Sequence, residues 1–156
     1  MSALLTPATE AELAETVADA AASHTRLRIR GGGTRSVIGQ AIETDTTLST
    51  DRLTGITLYE PGSLNMVVRA GTPLDEVTSA LAAENQHLAF EPMDHRGLLG
   101  SNGTPTVGGM VAAAISGPRR LLVGACRDHL LGVRFVNGRG EVLKNGGRVM
   151  KNVTGL

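Results

Sequence analysis

Aromatic side chains are nearly missing from this 156-residue chain: there is no tryptophan, and Tyr59, Phe90 and Phe135 are the whole aromatic set. A stacking platform for single-stranded nucleic acid needs aromatic faces that are not there. An excess of charge of one sign is missing too. Lys+Arg and Asp+Glu stand at 15 each, so neither a basic nucleic-acid footprint nor a polybasic membrane patch is expected. The single cysteine, Cys126, excludes an internal disulfide, an iron–sulfur cluster held by this chain alone and a cysteine-based zinc site. His24, His87, His95 and His129 are scattered without an i, i+4 pair or ligand spacing, which speaks against a metal centre. There is no apolar run of the roughly 18 residues that a membrane span requires, and no basic segment leading into an apolar stretch at the start. The expectation is a soluble, cytoplasmic protein with no direct membrane insertion. A Gly-x-Ser-x-Gly nucleophile elbow is also lacking, so a hydrolase has no support.

Glycine, by contrast, is abundant: 20 residues, nearly twice the roughly 7% average, and without a collagen-like period. Its densest cluster follows a short alternating stretch, Leu27-Arg28-Ile29-Arg30, in which Leu27 and Ile29 share one face and Arg26, Arg28 and Arg30 the other. Gly31-Gly32-Gly33 then ends the strand, followed by Thr34-Arg35-Ser36. Glycine allows positive φ and lets a second molecule touch the main chain. Successive N–H groups in such a turn form an anion-binding concavity, to which hydroxyls and a guanidinium can add. A phosphate cradle and a plain surface loop are both consistent with this stretch taken alone. A dinucleotide fingerprint would need glycine where Ser36 stands, and no glycine is followed by Lys-Ser/Thr as a Walker loop requires.

The rest of the chain reads in order. Thr9-Glu10-Ala11-Glu12 is a capping-box pattern that opens a helix of roughly three turns, with Leu13, Val17 and Ala20/Ala21 on one face. Leu48, Leu53, Ile56 and Leu58 fall in short extended pieces, Glu60–Ser63 is a turn, and Leu64–Arg69 is a buried strand. Thr72 is the expected N-cap of a second helix, with Pro73 first inside and Leu74, Val77 and Leu81 as its stripe. Leu88–Phe90 reads as a third short strand, and 94–105 as a long loop with Gly97, Gly100 and Gly103. Thr106-Val107-Gly108-Gly109 opens another helix, whose glycines suit either an anion at the helix end or close packing. Asn137-Gly138-Arg139-Gly140 joins Val133–Val136 to Glu141–Lys144 as a hairpin. A β-α-β opening followed by an antiparallel hairpin gives an α+β class, with a small β-α-β lobe over about 1–60 and a mixed or antiparallel sheet lobe with flanking helices over 61–156. Cys126 suits a small packed side chain better than a reactive thiol.

Taken together, Arg30 to Ser36, Val68-Arg69-Ala70-Gly71, Pro92, Thr106 to Gly109 and Gly124 to Gly132 resemble the FAD-binding domain of the vanillyl-alcohol oxidase type (PCMH-type) in order and spacing, from about Pro7 to Lys144. Ser116-Gly117-Pro118-Arg119-Arg120 and the stretch Arg148 to Gly155 are further similar to the flavin-binding E-subunit family of bacterial glycolate oxidases. The resemblance implies that Gly31, Gly32, Gly33, Thr34, Arg35 and Ser36 hold the FAD pyrophosphate. It implies that Thr106, Val107, Gly108, Gly109, Ala113 and Gly117 line the ribityl and flavin side, with Pro92 in the same set, and that Gly124, Arg127 and Asp128 close the pocket. Relatives that link the flavin covalently carry His after the glycines; Thr34 here implies non-covalent FAD. The implied activity is oxidation of a small α-hydroxy acid, glycolate to glyoxylate, beside flavoprotein and iron–sulfur partner subunits that can bring the chain to the inner face of the membrane. A noncatalytic flavin-holding or electron-relay subunit, and a nucleotide-binding module without redox role, are the alternatives. Relatives continue past the position of Leu156 into a substrate-cap domain, so the chain as given is expected not to oxidise glycolate alone and its catalytic residues are not assigned.

Overall fold

The computed structural model describes residues 3–147; the Arg148–Gly155 stretch lies outside them. A parallel three-stranded sheet begins the chain, with β1 (Ala3–Leu5), β2 (Leu27–Arg30) and β3 (Thr46–Ser49) in the order β1-β3-β2. Between β1 and β2 runs α1 (Glu10–Ala22). The Thr9 hydroxyl accepts from the Glu12 N–H at 3.1 Å, and the Glu12 carboxylate accepts from the Ala8 N–H at 2.8 Å. The box therefore closes one residue earlier than the ideal pattern, which would return to Thr9 itself. Leu48 of β3 is fully buried, whereas Ile29 of β2 is 69% exposed, so only part of the sheet's apolar face is covered by the described residues.

β4 (Ile56–Glu60) and β5 (Asn65–Val68) form an antiparallel hairpin around a 3-10 turn at Pro61–Ser63. The strand begins later than expected, because Leu64 sits in the left-handed region at φ 54° and faces solvent. In α2 (Leu74–Ala83), Leu74, Val77 and Leu81 are buried as the periodicity predicts, but the N-cap is Pro73. Thr72 cannot cap because its buried hydroxyl is occupied elsewhere, accepting from the Gly55 N–H at 2.9 Å. Leu88–Phe90 is not a strand. The Glu91 N–H closes a turn on the Leu88 carbonyl at 3.0 Å, and Phe90 enters the core with Leu74, Met110 and Cys126. Side-chain burial decided here, and a three-residue apolar run carries no period to show it.

The long loop holds one helical turn, α3 (Arg96–Leu99), and is followed by α4 (Val107–Ala112) and α5 (Arg120–Val123). A 3-10 turn at Cys126–His129 leads to the antiparallel pair β6 (Gly132–Val136) and β7 (Val142–Gly146), the predicted hairpin. This hairpin returns to the start of the chain: Arg134 Nη2 donates to Glu10 at 2.6 Å, and a Cβ on Gly140 would stand 2.6 Å from the Ala14 carbonyl oxygen of α1. Among the described residues, no helix is long and apolar enough to cross a membrane.

Candidate cofactor-binding site

The glycines after β2 are packed, main chain against main chain, on the loop that leads into α4. A Cβ on Gly32 would run into the Thr104 carbonyl, one on Gly103 into the Gly32 carbonyl, and one on Gly31 would lie 2.5 Å from Thr106 Oγ1. Gly33 adopts φ 78°, where L side chains are strained. The stretch is therefore a seam inside the molecule and not a free surface loop. The carbonyls of Gly33 and Thr34 are in use. Ser101 Oγ donates to the Thr34 carbonyl at 2.8 Å, while the Ser36 hydroxyl donates to Gly33 at 3.1 Å and closes the turn.

The N–H groups of the same stretch are not in use. Those of Gly31, Gly32, Gly33, Thr34 and Arg35 donate to no acceptor among the described residues. Their direction follows from the peptide plane. No cis bond is present, and in a trans peptide the N–H points opposite to the preceding carbonyl. With the Gly32 and Thr34 carbonyls turned toward residues 101–103, the N–H groups of Gly33 and Arg35 point away from that loop. Unpaired main-chain donors are costly unless something outside the chain meets them. A row of five, partly shielded by a Thr34 that is only 5% exposed, is suited to an anion.

The opening of α4 behaves differently. The Val107 N–H donates to the Thr72 carbonyl at 3.0 Å, Gly108 to Ala70 at 2.7 Å, and Gly109 to the capping Thr106 hydroxyl at 3.3 Å. A Cβ on Gly108 would sit 2.8 Å from that of Ala70. Of the two meanings its glycines allowed, close packing is the one these N–H groups serve. Arg35 bridges the two pieces: Nη1 donates to the Gly109 carbonyl at 3.3 Å, and Nε lies 3.4 Å from His95 Nδ1. Burial pulls its guanidinium below the ordinary arginine value, opposed by the nearby Asp94 carboxylate.

The other predicted residues form two further pieces. Gly117 packs on the Glu91 carbonyl, beside Pro92, and its N–H donates to Phe90 at 2.7 Å. Gly124 (φ 88°) and Asp128 share one turn, in which the Asp128 carboxylate accepts from the Ala125 N–H at 2.8 Å; Arg127 and Ala113 are exposed. The core joins the pieces, since Met110 belongs to α4, Phe90 precedes Pro92 and Cys126 lies between Gly124 and Asp128. Cys126 is the packed side chain expected, with its thiol pushed up by burial. Reasoning from sequence missed Ser101, Gly103 and Thr104 as the floor of the glycine seam. Their signal was the glycine spacing of the 94–105 loop.

An α+β chain with packed glycine turns beside a row of free main-chain donors has the makings of an anion-binding site. The sequence profile described as FAD binding domain matches residues 1–146. Glycolate oxidase subunit GlcE of Escherichia coli (strain K12) is 40% identical over 143 residues, covering 92% of this chain and 39% of that one. The D-lactate dehydrogenase of Archaeoglobus fulgidus is 33% identical over 129 residues, covering 81% and 27%. Among solved structures, Phl p 4, a grass pollen allergen with glucose dehydrogenase activity, superposes with a TM-score of 0.74 at 18% identity over 91% of this chain and 28% of that one, which shows the fold alone. The chain belongs to the FAD binding domain family, and FAD is its cofactor. It spans less than half the length of the curated relatives it matches. A diphosphate needs several donors and no side-chain bulk between them, and residues 31–35 fit that need.

Proposed function

We propose that this chain is the FAD-binding part of an oxidoreductase for small α-hydroxy acids, with glycolate as substrate, acting in the cytoplasm or at the inner membrane face beside flavoprotein and iron–sulfur partner subunits. The observation that carries this reading is the row of five N–H groups from Gly31 to Arg35 that have no acceptor among the described residues. It is supported by 40% identity to a glycolate oxidase subunit and by a second relative named for another hydroxy acid. Bound FAD supplies the acceptor for the two electrons that leave the hydroxy acid as it becomes an oxo acid.

The chain's own residues bind and orient. The N–H groups of residues 31–35 take the diphosphate, and Ser36 holds their turn closed. Thr106 to Gly109, Ala113, Gly117 and Pro92 line the ribityl and flavin side, and Gly124, Arg127 and Asp128 close it. Thr34 has no nucleophilic ring nitrogen, so FAD is held without a covalent bond.

Titration of the purified chain with FAD, followed by its absorbance and by calorimetry, tests the reading; a folded chain that takes up no flavin would sink it. Acid precipitation of the loaded chain is expected to leave the yellow chromophore in the supernatant, and colour in the pellet would contradict non-covalent binding. Anaerobic mixing with glycolate then separates two roles: bleaching of the flavin band assigns catalysis, whereas an unchanged band assigns a flavin-holding role within an assembly.

A further inference from the structure

We infer that the side chain of Arg35, at the end of the row of donors, is a positioning group that locks the row in place, and that its guanidinium is not itself a ligand of the diphosphate. The inference rests on the FAD reading above but concerns what Arg35 does within it. Two of its three nitrogens face the protein: Nη1 on the Gly109 carbonyl at 3.3 Å and Nε on His95 Nδ1 at 3.4 Å. These contacts tie the glycine turn to α4, 74 residues on at Gly109, and to the loop before α3, 60 residues on at His95.

His95 gives the bridge a condition. Its Nδ1 also lies 3.1 Å from the Met93 carbonyl, and one ring nitrogen cannot accept from Arg35 and donate to Met93 at once. The Gly109 contact is independent of that choice. Negative charge near Arg35 comes from Asp94, whose carboxylate is in turn held by Arg96 at 2.8 Å. Arg35 thus sits in a network of protein partners beside the row, where a planar guanidinium donates from two rigidly spaced atoms, Nη1 and Nε, a spacing that the single ammonium of lysine does not reproduce.

The test uses the full chain with Arg35→Ala and Arg35→Lys, each checked by circular dichroism for a folded state. Arg35→Ala is expected to weaken FAD binding by about ten- to a hundredfold through loss of the charge-assisted bridge. Arg35→Lys keeps the charge but not the fork, and is expected to stay within about threefold of Arg35→Ala. Hydrogen exchange of the flavin-free chain supplies an independent readout: the hydrogen-bonded amides of Ser36, Ile38, Arg96 and Leu99, which flank the bridge, are expected to exchange faster in both variants than in the parent.

Recovery of parent affinity by Arg35→Lys would assign the effect to charge on the ligand and overturn the inference. Unchanged exchange beside lost affinity would overturn it as well, while leaving the FAD reading intact. A parent chain that binds no FAD would instead overturn that reading, and exchange would still report whether Arg35 holds the loops.

Discussion

Replacing Gly32 by alanine puts a methyl group where a hydrogen stood, yet the structure leaves it no room. The new Cβ would meet the carbonyl oxygen and carbonyl carbon of Thr104, both main-chain atoms that no rotamer change can move. The seam between the glycine turn and residues 103–106 must open instead. Forcing atoms into packed space costs about 1–3 kcal/mol. For a chain of this size, that corresponds to a fall in melting temperature of about 2–12 °C.

Binding should fall for a related reason. Moving the Gly32 carbonyl swings the peptide plane that aims the Gly33 N–H, because the two groups are rigidly opposed. Loss of one donor to a charged acceptor is worth about 1.5–3 kcal/mol, or about ten- to over a hundredfold in FAD affinity. Gly62→Ala is the control: nothing lies within 4 Å of its Cβ position, and its stability should stay within about 0.5 kcal/mol of the parent. Melting curves and calorimetric titration of both variants decide the matter. If Gly32→Ala melts and binds FAD like Gly62→Ala, the seam is not what holds the donors.

Gly33 isolates conformation from space, since its Cβ position is open to ordinary contact (3.6 Å to Ser36 Oγ) but its φ is 78°. Gly33→Ala should lose about 1–2 kcal/mol in chemical denaturation and Gly33→Asn less, because asparagine tolerates the left-handed region; equal stability of all three would refute the strain. Cys126 should react with a thiol reagent at about pH 8 only after denaturant is added, because burial both hides it and disfavours its thiolate; prompt labelling of the folded chain would contradict this. Hydrogen bonds from the Arg26 side chain and main chain hold the Asp45 carboxyl down to about 2. A depressed folded value means the stabilisation is whole above the ordinary carboxylate range and is lost as pH falls through about 2. Carboxyl titration by NMR should find Asp45 of Arg26→Ala raised toward the ordinary range, with the main-chain N–H of residue 26 still holding it partly down, and an unmoved value would refute the side-chain pairing.

Elements with a local chemical reason were legible in the sequence. Thr9 with Glu12 announced α1, Asn137-Gly138 announced the β6–β7 hairpin, and Leu74, Val77 and Leu81 gave α2 its buried face. What was not legible depended on partners far along the chain. Thr72 has the side chain of an N-cap, and only the proximity of Gly55 explains why its hydroxyl is turned elsewhere. Phe90 looks like part of a strand until Met110 and Cys126 are known to lie beside it. Glycine was the hardest case, because its small size has the same look whether a ligand or another stretch of main chain comes close. The sequence located the glycine turn and the α4 opening, but the contact of Gly32 with Thr104 and the use of the α4 donors by Thr72 and Ala70 needed the fold.

For the glycine turn, those two meanings are linked as cause and effect. Gly31 and Gly32 lack side chains so that the turn can lie against residues 103–106. Lying there, it presents the Gly32 and Thr34 carbonyls to Gly103 and to the Ser101 hydroxyl. A trans peptide cannot turn its carbonyl one way without turning its N–H the other. Packing of the Gly32 and Thr34 carbonyls is therefore what aims the Gly33 and Arg35 N–H groups away from the seam. At α4 the same residue type has the opposite outcome, because there it is the N–H groups that meet neighbouring carbonyls. Which half of the peptide a neighbouring segment takes decides whether a glycine turn becomes a joint or an anion site, and in this chain Ser101 and Gly103 make that choice for the turn after β2.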